Sequence, residues 1–242
     1  MLDEASRTII IFGPPGSGKS SVISMLLEDD SNSPIDSNLP SLQIAQNYGC
    51  NPTPFYHKSY EVSICEFTYL IYDVTGVAED TPNFTSSATF QNLQNLVRNL
   101  ALNGPSLLIL CVRGPEIKRN TKRNFHLFFD GIFNKEIPIA LVVTGLEDEK
   151  PTMESWWARN NNVLNKFRIR FSAHACITAS RHAQERYFDS RNALKSLIVQ
   201  HAVAPGVART EKDTKVWLAS IAKRFVGLAG GSVLSSLRRA LA

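Results

Sequence analysis

The chain has 242 residues, 43% of them hydrophobic and 20% charged, with a net charge of +4. That supplies apolar material for one sizeable core and too little length for two ordinary domains, so a single main domain is expected. The mild basic excess falls short of the continuous positive face that a nucleic-acid binder builds, and no nucleic-acid partner is expected.

The first residues, MLDEAS, are acidic and lack an apolar h-region, so no secretory leader is expected. No run reaches the roughly 18 apolar residues that propose a membrane span. TIIIF at residues 8–12 is the first apolar run and reads as a buried strand. It leads into GPPGSGKS at 13–20 and then a helical run, SVISMLLED. Residues 28–54 are polar and rich in Ser, Asn and Pro, a loop of the length that in compact domains is functional or disordered. FYHKSYEVSI alternates as an edge strand would, paired antiparallel with FTYLIY at 67–72.

Leu93, Leu96, Val97 and Leu100 form a helical stripe ended by Gly104. SLLILCV at 106–112 is the next strand, and Phe125, Phe128, Phe129 and Ile132 make a second stripe. IPIALVV at 137–143 and HACITA at 174–179 complete the strands. Alternating strands and helices predict an α/β fold in three layers, a mostly parallel sheet with one antiparallel edge strand and helices on both faces. The four cysteines, Cys50, Cys65, Cys111 and Cys176, have no CxxC spacing, and two lie within apolar runs. They read as reduced thiols of a cytoplasmic protein.

Two segments carry the phosphate chemistry. The pattern GxxxxGK[ST] arises by chance in roughly one chain of this length in a hundred at average residue frequencies, and here it follows a strand and opens a helix, as a P-loop must. Residues Gly13, Pro14, Pro15, Gly16, Ser17, Gly18, Lys19, Ser20 and Ser21 are therefore the expected phosphate cradle. Glycine permits a curl in which backbone N–H groups face phosphate oxygens, and the helix N-terminus adds its dipole. Lys19 is expected on the terminal phosphates and the Ser20 hydroxyl on Mg2+. After FTYLIY comes Asp73-Val74-Thr75-Gly76, where Asp73 is placed to hold Mg2+ and Gly76 to offer its N–H to a γ-phosphate while remaining free to move.

The base is addressed by LVVTGLEDEK at a strand end, the place where α/β folds hold ligands. A guanine edge presents two donors that one carboxylate accepts together, whereas adenine presents no such pair. Glu147 is the expected acceptor beside Thr144, with Asp148 as the alternative if the loop is shifted by one residue.

These motifs resemble the translation-factor class of P-loop GTPases, near the branch of septins and immunity-associated GTPases. GPPGSGKSSVI, LIYDVTGV, LLILCVRG, IPIALVVTGLEDE, MESWWARN and ACITA together look most like a fungal group of single-domain G proteins, over roughly residues 8–203. The resemblance implies GTP/GDP and Mg2+ as ligands, Thr53 as the first-switch threonine on the metal, and Thr178, Ala179 and Ser180 beside the guanine oxygen.

Two departures stand out. Gly145 replaces the lysine that in such proteins covers the base and ties its loop to the P-loop. Val77 replaces the glutamine that orients water, so hydrolysis is expected to be slow, with Arg113 a candidate to assist from a homodimer partner across the nucleotide face. Arg119, Lys122 and Arg123 lie near it, and the run 118–123 is basic enough to imitate the lid of an ATP-using P-loop protein. That reading, and a pseudo-GTPase scaffold without turnover, are the alternatives to a slow switch. Trp156 and Trp157 are expected in the core, with a wall beside the base as the other possibility.

The expected organisation is a G domain over residues 1–205 and a basic amphipathic tail over 206–242. Trp217, Leu218, Ile221, Phe225 and Leu228 recur at helical spacing beside Lys215, Lys223 and Arg224, with Leu234, Leu237 and Leu241 beyond Gly230-Gly231. Such a helix suits a membrane surface, a protein partner or its own domain.

Overall fold

A computed structural model describes residues 7–28, 53–77, 87–102, 104–166, 168–203 and 210–229. The chain runs β1 (Arg7–Gly13), α1 (Lys19–Leu27), β2 (His57–Ile64), β3 (Phe67–Thr75), α2 (Ser87–Leu102), β4 (Pro105–Arg113), α3 (Arg119–Phe125), β5 (Ile139–Thr144), α4 (Ser155–Lys166), β6 (Ala173–Cys176), α5 (Gln184–His201) and α6 (Glu211–Ala229). A π-helical turn, His126–Ile132, continues α3. The six strands order as β2-β3-β1-β4-β5-β6. All described pairings are parallel except β2 with β3, the expected antiparallel edge.

The alternation of side chains along each strand divides the interior in two. Ile10, Phe12, Leu108, Leu110, Leu141 and Val143 point to a core shared with α2, α3 and its π-helical continuation, and α4. Ile9, Ile11, Ile109, Cys111, Ala140 and Val142 point the other way, to a core shared with α1 and α5. Both faces of the central strands are apolar because both are covered.

The phenylalanine stripe does face the core: Phe128 stacks on Phe12 with ring centroids 4.1 Å apart. Trp156 is fully buried, its indole N–H donating to the Pro115 carbonyl at 2.6 Å, and Trp157 stacks on His174.

β6 ends at Cys176, three residues short of the expected 179. Ile177 still donates to the Val143 carbonyl, but the Thr178 N–H turns to the Ser190 hydroxyl on α5, so the chain leaves the ladder there. The first turn of α6 is closed by a reciprocal cap: Asp213 N–H to the Thr210 hydroxyl, and Thr210 N–H to the Asp213 carboxylate. Leu218 and Ile221 then join the core beside α2 and the π-helical turn, and the Trp217 indole donates to the Ile132 carbonyl at 3.2 Å. The described face of this helix is thus packed on its own domain. The side chains from residue 222 onward, with Phe225, Leu228, Leu234, Leu237 and Leu241, lie outside the described residues, as do Cys50 and nearly all of the 28–54 loop. No helix among the described residues is long and apolar enough to cross a membrane.

Candidate functional site

The cradle forms between the end of β1 and the start of α1. Lys19 is 8% exposed, and its ammonium donates to the carbonyls of Gly13 at 3.0 Å and Pro14 at 3.2 Å. Burial pushes Lys19 below the usual lysine range, an effect that the negative charge of Asp73 offsets only in part. The Ser17 hydroxyl is buried with no hydrogen-bond partner among the described residues. A cation served by neutral carbonyls and an unsatisfied buried donor make a site that an anion completes. The residues present therefore fit phosphate.

Asp73 stands at the end of β3, with the Ser20 hydroxyl 3.4 Å from its carboxylate. Burial raises the Asp73 carboxyl above the usual carboxylate range, while Lys19, Ser20 and Lys58 pull it down. A buried carboxylate paired with a hydroxyl at the mouth of a phosphate cradle is a donor set suited to a hard cation such as Mg2+. Thr53 is less closely engaged. Its neighbours are tied to β3, Phe55 N–H donating to the Thr75 carbonyl and Thr75 N–H to the Tyr56 carbonyl, but no hydrogen bond links Thr53 to Ser20 or Asp73 among the described residues.

Gly76 departs from expectation. Its N–H, expected free for a γ-phosphate, donates to the Gly13 carbonyl at 3.0 Å. A Cβ at this position would come within 2.7 Å of Gly13 backbone atoms and would strike the Asn124 side chain. Val77, next along, is fully buried and held by Asn124 at both its N–H and its carbonyl. Gly76 and Val77 are thus pinned between the Gly13 backbone and α3.

The loop after β5 is held by side-chain contacts. Glu147, and not Asp148, meets the strand end opposite: its carboxylate accepts from the Thr178 hydroxyl at 3.0 Å, while Asp148 is exposed. The Thr178 and Ser180 amides are satisfied by Ser190 and Thr178. The Ala179 amide has no hydrogen-bond acceptor among the described residues. Arg186 on α5 donates to the carbonyls of Glu147 and Glu149, and Arg159 forks onto the Glu149 carboxylate at 2.6 and 2.8 Å.

The tie to the P-loop, expected to be lost with Gly145, is made one residue earlier. Thr144 donates its hydroxyl proton to the Ser17 carbonyl at 2.9 Å. Gly18, at φ +87, is required beside it, since a Cβ there would lie 2.6 Å from the Thr144 hydroxyl oxygen.

Asn124, Arg186 and Ser190 were not among the expected site residues. Each acts on the site from a helix face, where polar residues in a sequence read as solvated. Burial, near total for Asn124 and Ser190, is the signal that marks those two. The basic run 118–123 caps and opens α3, Lys118 standing just before the helix, with Asn120 and Thr121 buried.

The chain matches no protein-family model and no curated protein. Among solved structures it is similar to Era in complex with MgGDPNP and a 16S ribosomal RNA fragment, with a TM-score of 0.55 and 13% identity over 91% of this chain and 66% of that one. It is similar also to a GTP-binding protein of the hyperthermophilic archaeon Sulfolobus solfataricus in complex with GDP, with a TM-score of 0.50 and 16% identity over 81% of this chain. The match spans about half the length of that archaeal protein, 52%. At these identities the likeness establishes the fold, which is that of a P-loop G domain.

Proposed function

We propose that the chain is a Mg2+-dependent guanine-nucleotide-binding protein that hydrolyses GTP slowly and serves as a switch. The observation that carries the reading is the fixed link between two half-sites: Thr144 is bonded to the P-loop, and Glu147, three residues on, is bonded to Thr178. The two contacts would hold phosphate cradle and base-edge acceptor at one span. The carboxylate favours guanine because adenine lacks the paired donors, and this argues against the ATP-using alternative. Each charge-assisted hydrogen bond contributes about 1.5–3 kcal/mol, so the pair decides the base.

Lys19 would hold the terminal phosphates, and Ser20 and Asp73 would hold Mg2+, with Thr53 proposed to join them. When bound, the ion would supply neutralisation of phosphate charge. Val77 offers no polar group to a hydrolytic water, which is the basis for a slow rate. A nucleotide-binding scaffold without turnover is the second reading, favoured by the pinned Gly76 and Val77 backbone. Kinship with the septin and immunity-associated branch, a homodimer across the nucleotide face, a cytoplasmic location, and the 1–205 and 206–242 division belong to the same proposal. Their support is the wording of the motifs and, for location, the buried thiols of Cys111 and Cys176. A membrane or partner role for the tail would fall to its residues beyond 221.

Titration with fluorescent GTP, GDP and ATP analogues, with and without Mg2+, tests the reading. Guanine preference lost in Glu147→Ala, and binding lost in Lys19→Ala, are the expected results. Equal binding of ATP by the parent would overturn it.

A further inference from the structure

A nucleoside joining the cradle at Lys19 to the carboxylate of Glu147 has to pass along residues 144–147. Thr144 is bonded to Ser17, Leu146 is 2% exposed and turned into the core, and Gly145 has no side chain. From this loop nothing would cover the face of the base.

A side chain from the neighbouring strand occupies that place. Arg113, the last residue of β4, is in register with Thr144 on β5, and the next residue, Gly114, donates its N–H to the Thr144 carbonyl at 2.8 Å. The Arg113 side chain then runs along Gly145: a Cβ built on Gly145 would lie 3.4 Å from its Cγ, 3.5 Å from Nε and 3.7 Å from Cζ. Stem and guanidinium alike are at van der Waals distance from where a side chain at 145 would begin. Gly145 has φ +75, a conformation that disfavours other residues, so the loop keeps both its turn and the room for Arg113.

We propose that Arg113 covers the guanine base in place of the side chain that Gly145 lacks. This rests on the guanine-nucleotide reading above and changes the role expected of Arg113 from assistance in a partner copy to base binding in its own. Guanidinium suits the task. It is planar, stays charged, is weakly hydrated, and stacks on aromatic faces more readily than an ammonium does. Arg113 is exposed, so its replacement leaves the core untouched.

The test measures GDP affinity and displacement by inorganic pyrophosphate for the parent, Arg113→Ala and Arg113→Lys. Loss of a partly desolvated cation–π contact is expected to weaken GDP about tenfold in Arg113→Ala. Pyrophosphate affinity should move less than twofold, and Arg113→Lys should fall between parent and Arg113→Ala. A parent that binds GDP with Arg113→Ala unchanged overturns the covering role alone. So does an equal loss of GDP and pyrophosphate, which marks a contact to phosphate. A parent that binds no GDP overturns the guanine reading itself, and the covering role with it.

Discussion

Asn124 holds Val77 by both of its backbone groups: the Val77 N–H donates to Asn124 Oδ1 at 2.7 Å, and Asn124 Nδ2 donates to the Val77 carbonyl at 2.9 Å. The same amide nitrogen donates to the Asn120 carbonyl at 2.8 Å, so a fully buried side chain is satisfied on every side that matters. A polar network of this kind is costly to break because each freed group stays buried. Asn124→Ala is expected to lower stability by about 3 kcal/mol, read by urea denaturation, and to speed hydrogen exchange at Val77. An unchanged exchange rate would show that something else pins the segment.

Thr144→Val keeps the shape and removes the hydroxyl that reaches the Ser17 carbonyl. The expected cost is about 1–2 kcal/mol of stability, with a larger relative loss in nucleotide affinity, because cradle and base loop then move independently. Calorimetric titration with GDP reads the second quantity. Equal affinity in parent and variant would locate the coupling elsewhere.

Thr178→Val leaves the Glu147 carboxylate without its hydroxyl partner and frees the Ser180 amide as well. The preference for guanine over adenine nucleotide should fall by about tenfold, the equivalent of one modest hydrogen bond. Competition between GDP and ADP measures it, and an unaltered ratio would mean that Glu147 is oriented by Arg186 and the loop backbone alone.

Asp73 links ligand binding to pH. Its carboxyl is raised by burial, more than Lys19, Ser20 and Lys58 lower it. The folded chain therefore binds more protons at this group than the unfolded chain does, between the ordinary carboxylate value and the raised one. Its contribution to the stability of the nucleotide-free protein falls as pH rises through that window, and above it the ionised group is a net cost. Mg2+-dependent nucleotide affinity has the opposite sign and should weaken as pH drops through the same window, since a protonated carboxyl holds no cation. Both slopes should flatten in Asp73→Asn, followed by thermal denaturation and by titration.

Trp156 packs fully inside, with its indole on Pro115. Trp156→Phe should cost about 1–3 kcal/mol from the lost volume and the orphaned carbonyl, while GDP affinity stays within about twofold. A strong loss of affinity would restore the idea of a wall beside the base.

Much of this protein was legible along the chain because the signals are local. GPPGSGKS announces a phosphate cradle from eight consecutive residues, and the apolar runs 8–12, 67–72 and 106–112 announce buried strands by their composition. The acidic run after the strand 137–143 was visible as well, but that Glu147 and not Asp148 meets Thr178 is a tertiary contact. Where β6 ends was not legible, because the deciding contact is the Ser190 hydroxyl on α5.

The sequence by itself determined the sheet and the cradle, each encoded within a few neighbouring residues. The tertiary structure decided how those parts are joined: Thr144 on Ser17 across 127 positions, Asn124 on Val77 across 47, Arg113 laid on Gly145 by strand register. Such pairings carry no local pattern, since a threonine, an asparagine or an arginine at a strand end or on a helix reads as solvated until packing removes the water around it.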